Sequence, residues 1–204
     1  MINETTVKIR TINPSALGQF GLAMVTLVAA SQKLGWTSGT SLLIPWAIFL
    51  GAFAQLFACI HDAKQNSLFG TTVFGAYALF WFSIGTTWMI TNGVFGEAIM
   101  AGIDVKQLGM AYIGYFIFSV VMTIAAMEIQ KILFIILFLI DFLFLGLAMV
   151  AFGIAPHFAH NLAAYSELLI SICGFYGFAG NLLNGHFGRE ILPLGKPLGI
   201  IKKS

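Results

Sequence analysis

Charge is what this sequence lacks. Asp, Glu, Lys and Arg make up 9% of its 204 residues, where a soluble domain carries about 25%. The net charge is only +2, and no Lys/Arg cluster is interleaved with aromatics, so nothing offers a footprint for nucleic acid. Cysteine is scarce too. Cys59 and Cys173 are the only two, and both fall in apolar stretches, where buried thiols are expected rather than a disulfide or a metal pair. No nucleophile triad, phosphate loop or haem site can be assembled from the residues present. The chain is not expected to be an enzyme, to hold a metal or to need a cofactor.

What fills the chain is hydrocarbon. Hydrophobic residues are 59% of it, and the mean hydropathy is +0.92. A spanning helix needs about 20 predominantly apolar residues, and backbone groups in lipid must pair within their own segment. The expected fold is therefore an all-α membrane protein of six transmembrane helices, at 14–30, 41–60, 69–90, 107–127, 132–153 and 161–184. A tail of residues 1–13 precedes this 14–184 domain, and a tail of 185–204 follows it. Lys8 and Arg10 ahead of an apolar stretch look like the start of a signal peptide. Pro14, Gly18 and Gly21 interrupt that stretch, so it is expected to stay as the first span. Residues 128–131 are a connection short enough to make the fourth and fifth helices antiparallel neighbours.

Basic residues orient such a bundle. Lys8, Arg10, Lys64, Lys131, Arg189, Lys196, Lys202 and Lys203 fall on the side of the termini, and only Lys33 and Lys106 on the other. Both termini are expected to face the cytoplasm, with the chain in the cytoplasmic membrane. Glycine is abundant, and Gly174, Gly177 and Gly180 recur along the sixth span. Small residues at this spacing either let helices pack closely or thin the wall of a conduit.

Asn13 and Pro14 suit the cap and first turn of a helix. That end also presents unpaired N–H groups and the positive pole of the helix dipole, where a carboxylate can pause. Ordinary capping and substrate contact are both open readings for Asn13.

Four stretches resemble one family. They are the Asn-Pro opening, residues 51–58 around Gln55, residues 69–74 with Thr72 followed by Tyr77 and Phe80-Trp81, and the tail from Asn184 through Phe187-Gly188-Arg189 to Gly195. The chain is similar over 13–195 to the acetate uptake transporters, which include bacterial acetate–succinate permeases and fungal ammonia/acetate export proteins. The resemblance implies a six-helix protomer in a homo-hexamer, each protomer with its own pathway for acetate and other small carboxylic acids. It also implies a constriction at Leu22, Tyr77 and Leu139, where Leu22 replaces an aromatic and so implies a wider gate. The opening Asn13-Pro14-Ser15-Ala16 and the stretch 66–70 depart from the family's usual wording, and Asn181 stands where an acid is common.

Charge alone adds a separate expectation. No Lys or Arg falls inside any span, so a carboxylate in the bundle would meet only dipoles and hydroxyls such as those of Gln55, Thr72 and Tyr77. Stripping water from an unpaired carboxylate costs many kcal/mol, more than a few hydrogen bonds return. Passage is therefore expected as the protonated acid, or as an anion accompanied by a proton. Two acids fall within spans. Asp141 is expected near the midplane, facing away from Leu139, with proton coupling and a structural hydrogen bond both open. Glu167 shares a face with Gly174 and is read either as a proton collector in the outer vestibule or as a solvated interfacial group. His157 and His160 are spaced for a metal but lack a third ligand, and a surface pair is expected. The cluster Phe80-Trp81-Phe82 and Trp88 are expected in lipid-facing or interfacial belts.

The sequence thus points to a transporter of acetate and related acids such as succinate, lactate or propionate, with protons as the second partner. A passive channel for anions or for a small solute like ammonia is the rival within transport. A membrane sensor or scaffold without flux is the rival from another class.

Overall fold

The computed structural model describes residues 13–201 and, among them, contains helices and no strands. The helices are α1 (Ser15–Lys33), α2 (Leu43–Lys64), α3 (Leu68–Thr91), the short α4 (Glu97–Ala101), α5 (Val105–Ala126), α6 (Lys131–Ala151) and α7 (Pro156–Phe187). All but α4 are long and apolar enough to cross a bilayer. The protein is a multi-pass membrane protein with one helix for each expected span.

Local chemistry sets the helix ends. Pro156 opens α7 five positions ahead of the expected start, in the first-turn position where a missing N–H costs nothing. Gly188, in the left-handed conformation at φ 64°, ends it. α2 continues to Lys64 through what reads as a polar break, and Asn66 at φ 56° then turns the chain. The Ser67 hydroxyl accepts from the Gly70 N–H at 3.2 Å and caps α3. Within α2, just after Pro45, residues Ala47–Ala54 wind as a π-helix. Such widened turns gather at functional sites. This one places Gly51 so close to α3 that a Cβ would lie 2.7 Å from the Trp81 ring.

Neighbouring spans follow one another around a ring in the order α3, α2, α1, α7, α6, α5. The seam between α1 and α7 is closed by small residues, a Cβ on Gly174 falling 3.0 Å from that of Ala23. One end of the bundle gathers the start of α1, the α2–α3 and α5–α6 turns and the end of α7; it is called here the terminal end. The opposite end holds Lys33, the α1–α2 loop, α4 and the start of α7. There the Asn92 amide bonds Thr40 at 2.8 Å, and a His160 ring nitrogen lies 2.8 Å from the Lys33 carbonyl.

The chain after α7 is laid as a strap across the terminal end. The Asn184 side chain accepts from the N–H groups of Ile191 and Leu192 and donates to the Leu192 carbonyl. Leu194 fills the notch at Gly180, and its carbonyl accepts from Ile132 N–H. Further on, the Glu128 carboxylate accepts from Ile200 and Ile201 N–H.

Of the cations that orient the bundle, Lys64, Lys131, Arg189 and Lys196 lie at the terminal end, and Lys33 and Lys106 at the other. Lys8, Arg10, Lys202 and Lys203 fall outside the described residues. Two expectations are corrected by the packing. Phe80 and Trp81 are buried rather than belted at the surface, because they lie on the face of α3 that packs into the core and Gly51 leaves room for the indole. Cys59 and Cys173 are unpaired but only half-buried.

Candidate functional site

Two cavities enter the bundle from opposite ends. The terminal-end cavity has a volume of about 160 Å³, room for several waters. Its polar wall comes from Ser15 and Gln19 of α1, Gln55 and Asp62 of α2, Ser67, and Gln130, and no lining residue is Lys or Arg. Gln55 emerges at the end of the π-helix and donates 2.7 Å to the Gly51 carbonyl, giving an acceptor in the widened segment its partner. Gln19 accepts from the Asn181 amide at 2.7 Å, which fixes its head group on the cavity side of α7. Asp62 is 6% exposed, and its Oδ2 has no hydrogen-bond partner. It presses on Gly70, where any side chain would collide with the carboxylate. A buried carboxylate oxygen without a donor is costly, and this residue lines the cavity.

The deep end of this cavity is apolar, walled by Leu22, Tyr77 and Ile140. A smaller cavity of about 120 Å³ descends from the opposite end, lined by Lys33, Trp88, Tyr112 and Glu167 above and by Phe80 and Leu143 at its floor. Tyr77 and Phe80 are three residues apart on α3, as are Ile140 and Leu143 on α6. The neck between the two spaces is thus about 4.5 Å long at 1.5 Å per residue. Phe144, 1% exposed, braces it: its ring meets Phe80 edge-on at 5.1 Å and stacks near Tyr115 at 5.5 Å. The Tyr77 hydroxyl points to α5, 3.1 Å from the Ser119 hydroxyl.

The structure brings some of the expected residues together and separates others. Leu22, Gln55 and Tyr77 share the terminal-end cavity. Leu139 is half-buried and lines neither cavity; Ile140, one position on, supplies the α6 wall. Asp141 is half-buried beside it and turns to α5 of the same chain, where Thr123 donates to its Oδ2 at 2.9 Å and Oδ1 has no partner. Thr72 is exposed and donates to the Leu68 carbonyl of its own helix. Gly174 is part of the α1–α7 seam. Asn13 accepts from Ser15 N–H at 2.9 Å and borders a separate apolar cleft with Phe57, Phe178 and Leu182.

Glu167 is not solvated. It is 2% exposed and paired with Lys33 at 2.8 Å, so the cavity opposite the termini does have a cation in its wall although the neck has none. His157 and His160 are both exposed, and no group of three metal-ligating side chains exists among the described residues. Gln19, Asp62, Ile140 and Phe144 were missed by sequence reasoning. Only Asp62 carried a signal: an acid seven residues, or two helical turns, beyond Gln55 on one face.

The comparisons fit this architecture. The chain is 28% identical over 187 residues to the succinate-acetate/proton symporter SatP of Escherichia coli, covering 90% of this chain and 95% of that one. It is 26% identical to acetate permease A of Emericella nidulans, over 81% of this chain and 56% of that one. A solved structure of the bacterial acetate channel SatP superposes with a TM-score of 0.83 at 25% identity, over 91% of this chain and all of the other. Residues 3–188 match the model of the GPR1/FUN34/yaaH family, and the chain belongs to that family.

Proposed function

We propose that this protein carries acetate, and with it other small carboxylic acids, across the cell membrane through the neck at Leu22, Tyr77 and Ile140. It is a transporter, not an enzyme, as its relatives are by name. The observation that carries the reading is the neck itself: about one helical turn of hydrocarbon with a cavity on each side and no cation within it.

That geometry favours the neutral acid. A carboxylate loses its water shell in the neck and gains no counter-charge, at a cost of several kcal/mol. The protonated acid avoids most of that penalty. Asp62, bordering the terminal-end cavity with an unpartnered oxygen, is the group placed to exchange a proton with cargo there, and the coupling is to protons. The basic bias of the described loops supports a cytoplasmic terminal end. The apolar exposed stripe Met110, Ile113, Ile117 and Val121 on α5 supports a face against lipid or against other protomers of a homo-hexamer.

Labelled acetate uptake into proteoliposomes, measured across pH with succinate, lactate and propionate as competitors, tests the proposal. Uptake at fixed total acetate is expected to fall steeply as pH rises above the carboxylic acid range, approaching tenfold per unit as the neutral fraction falls. An imposed pH gradient should drive accumulation. Flux that ignores pH, together with a sustained acetate current, would instead establish a passive anion channel, the reading favoured by the name of the solved relative.

A further inference from the structure

Glu167 and Lys33 share the wall of the cavity opposite the termini, together with Gln32, Trp88 and Tyr112. Lys33 is the last residue of α1 and keeps 17% of its side chain exposed; Glu167 keeps 3%. Their 2.8 Å contact is a charge-assisted hydrogen bond. Tyr112 from α5 lines the same cavity, and a His160 ring nitrogen of α7 lies 2.8 Å from the Lys33 carbonyl. Buried pairs of this kind contribute little net stability compared with apolar residues of the same size. Their position must be understood through what the cavity admits.

An ammonium has three N–H donors. One meets Glu167, and among the described residues no other side chain bonds Nζ. Lys33 lines a cavity of about 120 Å³ whose floor is the neck. The group already held by Lys33 is itself a carboxylate, the same chemistry as the proposed cargo.

We propose that Lys33 is the carboxylate-capture residue of this mouth and that Glu167 is a resident competitor, occupying Lys33 until cargo displaces it. The proposal rests on the acid-transport reading and adds a specificity rule to it. With a monocarboxylate in place, the site holds one cation against two anionic groups. A dicarboxylate adds a further negative charge, so singly charged acids are preferred. Cargo leaving Lys33 for the neck takes one proton from the solution at that mouth, and the Lys33–Glu167 pair re-forms behind it.

Calorimetric titration of the purified full-length protein with acetate, propionate and succinate at neutral pH tests this, alongside uptake by the same preparation in proteoliposomes. Lys33→Met should weaken acetate binding about tenfold or more, and Lys33→Arg should retain it. Glu167→Gln should tighten acetate and narrow the preference for acetate over succinate. Glu167→Asp, which keeps the charge but draws it back, should do so to a lesser degree if the Gln variant fails to fold. The double variant Lys33→Met/Glu167→Gln leaves no unpaired charge and should fold without capturing acetate.

Wild-type affinity in the double variant would overturn the proposal. So would an unchanged acetate-to-succinate ratio in both Glu167 variants, or no acetate heat from the wild type at tens of millimolar. Lys33-dependent binding without uptake would sink the transport reading and leave the capture site standing; uptake with Lys33-independent binding would do the reverse.

Discussion

The two cavities differ in how they treat charge. The terminal-end space is lined by neutral dipoles, Gln19, Gln55, Ser15 and Ser67, with a single carboxyl, Asp62, whose Oδ2 has no partner. The opposite space has both signs of charge already joined, Glu167 to Lys33. One cavity thus holds a lone carboxyl with an unpartnered oxygen, and the other a cation already paired with an acid. The hydrocarbon turn between them is common to both. On the proposed pathway a molecule that crosses changes its interactions on the way: anion chemistry at Lys33, neutral chemistry in the neck, proton chemistry beside Asp62.

The sharpest way to break this contrast is to close the neck that separates the halves. Ile140→Trp should cut acetate uptake about a hundredfold, while Leu139→Trp, directed away from both cavities, should leave more than about a third of it. Proteoliposome uptake of the two variants decides which α6 residue walls the passage. Asp62→Asn removes the one carboxyl lining the terminal-end space. Uptake at neutral pH is expected to fall about tenfold, with a smaller loss at pH 5 where the neutral acid is abundant. An equal loss at both pH values would remove Asp62 from the proton step. Tyr77→Phe deletes the hydrogen bond to Ser119 but keeps the ring in the neck. It should lower stability by about 1 kcal/mol in a thermal melt and leave uptake within about twofold. The smallest effect is expected from Thr72→Val, since Thr72 is exposed and bonded to its own helix. Stability should move by less than about 0.5 kcal/mol and uptake not at all.

The fold was legible because hydrocarbon length and missing charge are properties of the sequence itself: each expected span has its helix. The site was legible only where one residue type had one plausible place. Tyr77 and Gln55 do line a cavity; on α6 it is Ile140 and not Leu139 that lines it, and because α6 is apolar all round no periodicity distinguishes its lining face. Asp62 looked like a loop acid because Lys64, Gln65 and Asn66 follow it, and only its two-turn spacing from Gln55 hints that α2 continues beneath it. The Glu167–Lys33 contact joins residues 134 positions apart, which no spacing rule reaches. Phe80 and Trp81 looked like belt residues until the cleft left by Gly51 took the indole.

The π-helix of α2 has a consequence beyond Gly51. A stretch bonded i to i+5 holds one more residue per closed turn than an α-helix, so everything after Ala54 is offset by one position, about 100° around the axis. Gln55 and Asp62 owe their aim to that phase slip. Removing a single residue between 47 and 54 would cancel the slip and let ordinary helix carry Gln55 and Asp62 on the same face; straightening those turns with every residue kept would instead swing the Asp62 carboxyl out of the cavity and into the oily flank of the bundle.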